Sequence, residues 1–127
     1  MTTKMDILIP ILSKQENDPQ FLAAATKESE KVFLLVIVDA GVPEMSFGFT
    51  ATEIGHGNTL MREIKRKLQD GGKQVFECLE WGETIPKIIN FAKLKKIKKV
   101  ALKKQDTQGF KKLAKLLRDE KIETEII

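Results

Sequence analysis

The run "KVFLLVIVD", residues 31–39, limits the fold of this chain more than any other feature. From Val32 to Val38 every residue is apolar. Successive side chains of a strand point to opposite sides, so this strand has no polar face. It has to be covered from both sides, as an interior strand of a parallel sheet is when helices pack on both faces.

The remaining chain supplies those helices and further strands. "MDILIPIL", residues 5–12, suits a shorter buried strand. Asp18 is a natural helix cap, Pro19 sits well at a first helical position, and Phe21, Leu22 and Ala25 share a face, which predicts a helix over about 19–30. Residues 40–58, "AGVPEMSFGFTATEIGHGN", read as a long irregular stretch of the kind that is functional or mobile in compact domains. Leu60, Met61, Ile64 and Leu68 then recur at helical spacing, with Asn58 or Thr59 as the cap and Gly71 and Gly72 as the stop. "KQVFECLEW", 73–81, reads as a strand near a sheet edge. Ile85, Ile88, Ile89 and Ala92 predict a helix over 82–96, with Pro86 in its first turn, where its missing N–H does no harm. "KKVALKK", 98–104, is a short strand, Phe110, Leu113, Leu116 and Leu117 mark a helix over 108–121, and "IETEII", 122–127, closes the chain as a strand. The alternation predicts one α/β domain over 1–127, a doubly wound five-stranded parallel sheet with right-handed crossovers and helices on both faces.

Charge is unevenly spread. From Ile85 onward there are 13 basic and 5 acidic residues, a balance of +8, while residues 1–84 hold 9 basic and 13 acidic, a balance of −4. A basic half attracts nucleic acid or phosphorylated ligands. Lysine without interleaved arginine or aromatic residues is nevertheless a poor nucleic-acid signature, and a solvated lysine surface is the plainer reading. The single cysteine, Cys78, excludes an intramolecular disulfide and fits a reducing compartment. "MTTKMDILIPIL" has neither a cleavage site nor the length of a membrane span, so a cytoplasmic protein with no membrane partner is expected.

In sheets of this kind ligands sit beyond the carboxyl ends of the strands, where strand order reverses. Here that crevice would be lined by Leu12 to Lys14, Asp39 to Val42, Trp81 to Glu83 and Lys103 to Thr107. The first strand ends in Ile11, Leu12 and Ser13, without the acidic residues a phosphoacceptor receiver uses to hold magnesium. "LSKQEND" lacks the glycines of a dinucleotide fingerprint, and there is no P-loop. His56, the only histidine, lies between two glycines, which suggests an exposed loop tip, and it has no zinc-ligand partners at useful spacing. Cys78 falls in mid-strand and reads as a core residue, and Trp81, at a strand end, suits a packing or rim role. No acid/base pair or nucleophile presents itself, so an enzyme is not expected. Lys103 and Lys104, with Thr107 near the next helix start, would suit an anion; Asp106 would instead cap that helix and repel phosphate.

"ILIPIL", "FLLVIVD", the long stretch before the second helix and "LEWGETIPKIINFAKLKKIKKVAL" together resemble the universal stress protein family over nearly the whole chain. The resemblance implies sheet order 3-2-1-4-5, dimers paired through the last strand and, in many members, bound ATP. It implies an adenine pocket near Pro10, Leu12 and Val38, and a phosphate loop with two glycines three apart after strand four, followed by a Gly-Ser or Gly-Thr pair. This sequence departs at each polar point. Leu12 stands where the family has an acidic residue, Lys103 and Asp106 where it has the two glycines, and Leu116 and Leu117 near the Gly-Ser pair. Phosphate needs close backbone approach, which those side chains obstruct. The expectation is a regulatory or interaction module that has no cofactor and does not bind ATP in the usual way. It would be a homodimer through "IETEII", with a protein partner rather than nucleic acid. The alternative is a nucleotide or phosphate sensor. The candidate ligand-contacting residues are Pro10, Leu12, Ser13, Val38, Lys103, Lys104 and Thr107.

Overall fold

The computed structural model describes residues 5–39 and 49–127. In chain order the elements are β1 (Met5–Pro10), α1 (Pro19–Ala25), β2 (Ser29–Val38), α2 (Ile54–Asp70), β3 (Gln74–Trp81), α3 (Thr84–Leu94), β4 (Lys99–Leu102), α4 (Gln108–Asp119) and β5 (Glu123–Ile126). Single 3-10 turns at Lys14–Glu16 and Ala51–Glu53 lead into α1 and α2. The five strands form one sheet in the order β3-β2-β1-β4-β5, and every pair is parallel.

That order fixes where the helices go. The chain winds outward from β1 to β3, returns to β4 and winds out again, so crossovers of one hand put α1 and α2 on one face and α3 and α4 on the other. The core divides accordingly. Ile7, Ile9, Val32, Leu34 and Val36 pack with Phe21 of α1 and Met61, Ile64 and Leu68 of α2. The alternate residues Leu8, Leu35 and Ile37 pack with Ile88 and Phe91 of α3 and Phe110, Leu113 and Leu117 of α4. The apolar run in β2 thus serves two cores at once. Each fully buried aliphatic side chain contributes roughly 1.5–3 kcal/mol.

Several boundaries differ from the sequence expectations. α1 stops at Ala25 rather than near 30, because the Thr26 hydroxyl and N–H both donate to the Leu22 carbonyl, at 2.8 and 3.1 Å, and the Ser29 N–H donates to the Thr26 carbonyl at 3.1 Å. β2 accordingly begins at Ser29. α2 begins at Ile54, not at Asn58 or Thr59, so "GHGN" lies in its first turns and His56 is not a loop tip. A capping box starts this segment: the Thr50 N–H and hydroxyl donate to the Glu53 carboxylate at 3.0 and 2.9 Å. Gly57 is there for packing, since a Cβ would stand 3.0 Å from Val36 Cγ1 and 3.3 Å from the Phe49 ring. The long stretch expected over 40–58 therefore ends before Thr50, and its residues 40–48 lie outside the described residues. At β3 the edge position is as expected. Phe76 is 40% exposed and stacks on Phe33 at 5.0 Å, and Cys78 is half-buried against the α3 side of the core. Burial pushes the Cys78 thiol up, away from the thiolate a nucleophile needs.

Candidate functional site

The strand order reverses between β1 and β4, so the crevice to inspect lies beyond their carboxyl ends. Two segments meet there. After β1, Ile11 still donates to the Leu35 carbonyl at 2.8 Å, Leu12 turns inward, and Ser13 starts the 3-10 turn. After β4, Lys103 to Thr107 lead into α4.

The first segment is organised by a second capping box. The Ser13 hydroxyl accepts from the Gln15 N–H at 3.1 Å, while the Ser13 N–H and hydroxyl donate to Glu16 Oε1 at 2.7 and 3.1 Å. This folds the Glu16 carboxyl beneath the turn, where it is fully buried. Its other oxygen, Oε2, accepts from the Gln105 side-chain amide at 2.9 Å, so one carboxylate joins the turn after β1 to the turn after β4. Burial pushes the Glu16 carboxyl up to about 7, against the lowering effect of its hydrogen bonds from Ser13. A second, weaker tie lies outside it. Lys103 Nζ is 3.8 Å from Asp18, whose other oxygen caps α1 by accepting from the Gln20 N–H at 3.2 Å. Asn17 extends the anchoring to α2, donating to Glu63 at 2.9 Å and accepting from Lys67 at 2.6 Å.

The end of β2 is occupied in the same manner. The Phe49 N–H donates to the Ile37 carbonyl at 3.3 Å, and the Asp39 N–H donates to the Phe49 carbonyl at 2.8 Å. Carbonyls two apart on a strand face the same edge, so Phe49 takes the edge of β2 that β1 leaves after Ile11. Gly82 serves the opposite edge, donating to the Val38 carbonyl at 3.0 Å with a φ of +146°, a conformation that favours glycine. Asp39 accepts from the N–H and hydroxyl of Thr84 at 3.1 and 3.0 Å and so caps α3 from the end of the neighbouring strand. The residue before that helix, Glu83, makes no side-chain cap bond.

Of the residues singled out in the sequence, Pro10, Leu12 and Val38 are buried in the floor of the sheet. Ser13 heads the capping box, and Lys103 pairs with Asp18. Lys104 is held through its backbone, its N–H donating to the Ile127 carbonyl at 2.8 Å, and its side chain is exposed. Thr107, not Asp106, caps α4, its hydroxyl accepting from the Phe110 N–H at 3.1 Å. Asp106 instead projects into solvent, 3.6 Å from Lys111. A threonine two or three residues before the first N–H it must satisfy has the same reach as aspartate, which is why the sequence left the choice open to error. Leu116 and Leu117 lie within α4, and Leu117 is fully buried.

Glu16, Gln105, Asp39 and Thr84 carry the geometry, and reading for ligand motifs passes over them. Glu16 had a signal: "SKQE" is a Ser-x-x-Glu capping box, the pattern of a helix start. The bonds to Gln105 and from Asp39 to Thr84 span 89 and 45 residues and leave no local trace. Among the described residues no group of three or more His, Cys, Asp or Glu is placed to hold a metal ion. No helix among them is long and apolar enough to cross a membrane.

No family model and no curated relative matches the sequence. Solved structures do match in fold. A universal stress protein in complex with cAMP is 13% identical, with a TM-score of 0.66 over 98% of this chain and 96% of that one. A universal stress protein family member from Burkholderia pseudomallei is 14% identical, with a TM-score of 0.64 over 96% and 94%. UspA of Lactobacillus plantarum is 14% identical, with a TM-score of 0.57 over 98% and 97%. The strand order, the division of helices between the two faces and these likenesses along nearly the whole chain together show that it is built on the universal stress protein fold.

Proposed function

We propose that this protein is a regulatory or interaction module of the universal stress type whose ligand crevice is closed by its own side chains. The carrying observation is the Glu16–Gln105 bond, 2.9 Å long, which ties the two turns between which a nucleotide phosphate would have to enter. Lys103 and Asp106 supply side chains where close backbone approach to phosphate is required, and Phe49 covers the adjoining edge of β2. The module works by contact rather than by turnover, in the cytoplasm, with no nucleotide cofactor. It pairs with a second copy through β5, which takes the outer edge of the sheet among the described residues.

Titrating the purified protein with ATP and magnesium, and separately with cAMP, tests the reading. cAMP is included because one protein of the same fold is in complex with it. The module predicts no saturable heat from either. Saturable heat from either would overturn it, and its loss in Lys103→Glu and Lys104→Glu without unfolding would favour a phosphate-ligand sensor. The observation favouring that second reading is Lys104, an exposed cation beside the start of α4 with no carboxylate partner among the described residues.

A further inference from the structure

The two edges of the sheet are unequal. β5 has 4 residues and β3 has 8. Exposed edge strands are usually guarded by a lysine, a proline, a bulge or a covering segment. Between Gln74 and Trp81 there is no lysine or proline, the register with β2 is unbroken, and among the described residues no strand lies outside β3. The Gly82 N–H donates to the Val38 carbonyl, so the even-numbered residues of β3 turn their backbone groups toward β2. The odd-numbered residues Val75, Glu77, Leu79 and Trp81 turn theirs outward. The one charged side chain in that row, Glu77, is held by Lys65 of α2 at 3.0 Å.

The side chains of β3 are also incompletely covered. On the α3 side Phe76 is 40% exposed although it stacks on Phe33, and on the α2 side Trp81 is 54% exposed. Phe33 meets the Phe91 ring edge-on at 6.2 Å, and Lys95 Nζ stands 6.0 Å from that ring, which puts a cation toward the Phe76 end of the strand. Glu80 follows Cys78 on the same side, toward the other end. Burial dominates the surroundings of the Cys78 thiol, and the charges that act on it after that are Lys95 and Glu80. Neither has an ion-pair partner among the described residues. A cation and a carboxylate on either side of one strand position complement themselves under a two-fold rotation.

We propose that β3 pairs antiparallel with β3 of a second copy of this chain, about a two-fold axis at Cys78. In this register Val75 lies opposite Trp81 and Glu77 opposite Leu79, and these outward-facing residues exchange the backbone bonds. Val75 and Trp81 form a cross-strand apolar pair on the α2 side. On the α3 side Glu80 lies opposite Phe76 of the second copy, on the flank where that copy's Lys95 stands. The neighbouring registers are poorer. One sets Glu77 against Glu77, and the other sets Glu77 against Trp81 and leaves Val75 beyond the end of the opposing strand. A second copy is the occupant because the backbone row, the apolar pair and the charges all find their complements in the same strand. This pairing is separate from the one proposed through β5, at the opposite edge. Occupied together, the two edges chain molecules beyond a dimer, because two such axes across one sheet do not close a ring.

Cys78 is the only cysteine, which makes it the probe. Directly opposed residues that do not exchange backbone bonds have Cα atoms about 4.5 Å apart, within the span of a disulfide. Pairing through β5 alone leaves the two Cys78 thiols on far edges. The purified protein is oxidised with copper phenanthroline, which takes the two electrons released as the thiols join, and the linked dimer is followed on a non-reducing gel. The parent is expected to link at least about tenfold faster than Glu77→Pro, whose ring blocks the outer edge without removing a bond to β2. Sedimentation of the unoxidised proteins should show a larger mass for the parent. Glu80→Lys should slow linking, and adding Lys95→Glu to it should restore the rate, a comparison that decides the matter even where Glu77→Pro does not fold. No linked dimer from the parent, equal rates in the parent and a folded Glu77→Pro, or no recovery in the double variant would each overturn the proposal. A dimer that sediments as such, does not link and is unmoved by Glu77→Pro would overturn it and leave pairing through β5 standing.

Discussion

At the carboxyl end of the sheet several polar side chains meet across separate turns, and at the amino end several lysines extend into solvent beside the Lys93–Glu120 pair. Glu16 meets Gln105 and Lys103 approaches Asp18, so the turns after β1 and β4 are joined by their own side chains, and Asp39 meets Thr84 at the end of β2. Around Ile97 and Ile122, Lys96, Lys98 and Lys121 have no carboxylate partner among the described residues, and Lys96 and Lys121 occupy strained bends with φ of 57° and 61°. The same residue types thus do opposite things. A polar group with a buried partner stiffens the scaffold, whereas a cation held away from any partner remains available to another molecule.

Substitutions should separate the two ends. The largest effect belongs to Glu16. Its carboxyl sits at about 7 in the folded chain against an ordinary 4.5, so the folded state binds that proton more tightly than the unfolded state between the two values. Glu16 therefore contributes full stability below pH 4.5 and loses it as pH rises through 7, a change of roughly 3 kcal/mol for a group so deeply buried. In Glu16→Gln the carboxamide oxygen still accepts from Ser13, and the amide can donate to Gln105 once that side chain rotates. Denaturant unfolding at a series of pH values should show this part of the slope gone and the variant more stable than the parent at pH 8. An unchanged slope would mean that the carboxyl is not buried.

Next comes Asp39→Ala, which removes the acceptor shared by the Thr84 N–H and hydroxyl and should cost about 2 kcal/mol in the same measurement. Thr107→Ala, which removes a single cap bond at the start of α4, should cost about 1 kcal/mol. Asp106→Ala, one position earlier, should be nearly silent, because its carboxylate is exposed and pairs only with Lys111. At the amino end the sign reverses. Lys96→Gly should raise stability by up to about 1 kcal/mol, since the bend no longer holds a side chain at positive φ. A loss on that substitution would mean that Lys96 is a structural residue, and the contrast between the two ends would fail.

The frame of the molecule was legible in the sequence because it depends on periodicity. The unbroken apolar run of β2 dictates cover on both faces, and the one-sided patterns of α2, α3 and α4 identify what covers it. The start of α2 was misread for a physical reason: Gly55 and Gly57 signal a loop by propensity, yet Gly57 is where the helix approaches Val36 and Phe49 too closely for a side chain. The site was less legible. "SKQE" announces its capping box, but its partner Gln105 comes from the turn after β4, and only the strand order brings the two together. The two lysine bends were hidden in a lysine-rich half whose composition suggested an undifferentiated solvated surface, and backbone conformation alone distinguishes them.

The most direct test of the account is a backbone amide NMR spectrum recorded without ligand and with ATP and magnesium. A closed carboxyl end predicts that ATP leaves Ser13 to Glu16 and Lys103 to Thr107 unmoved. Saturable shifts from ATP at those two segments would contradict the account.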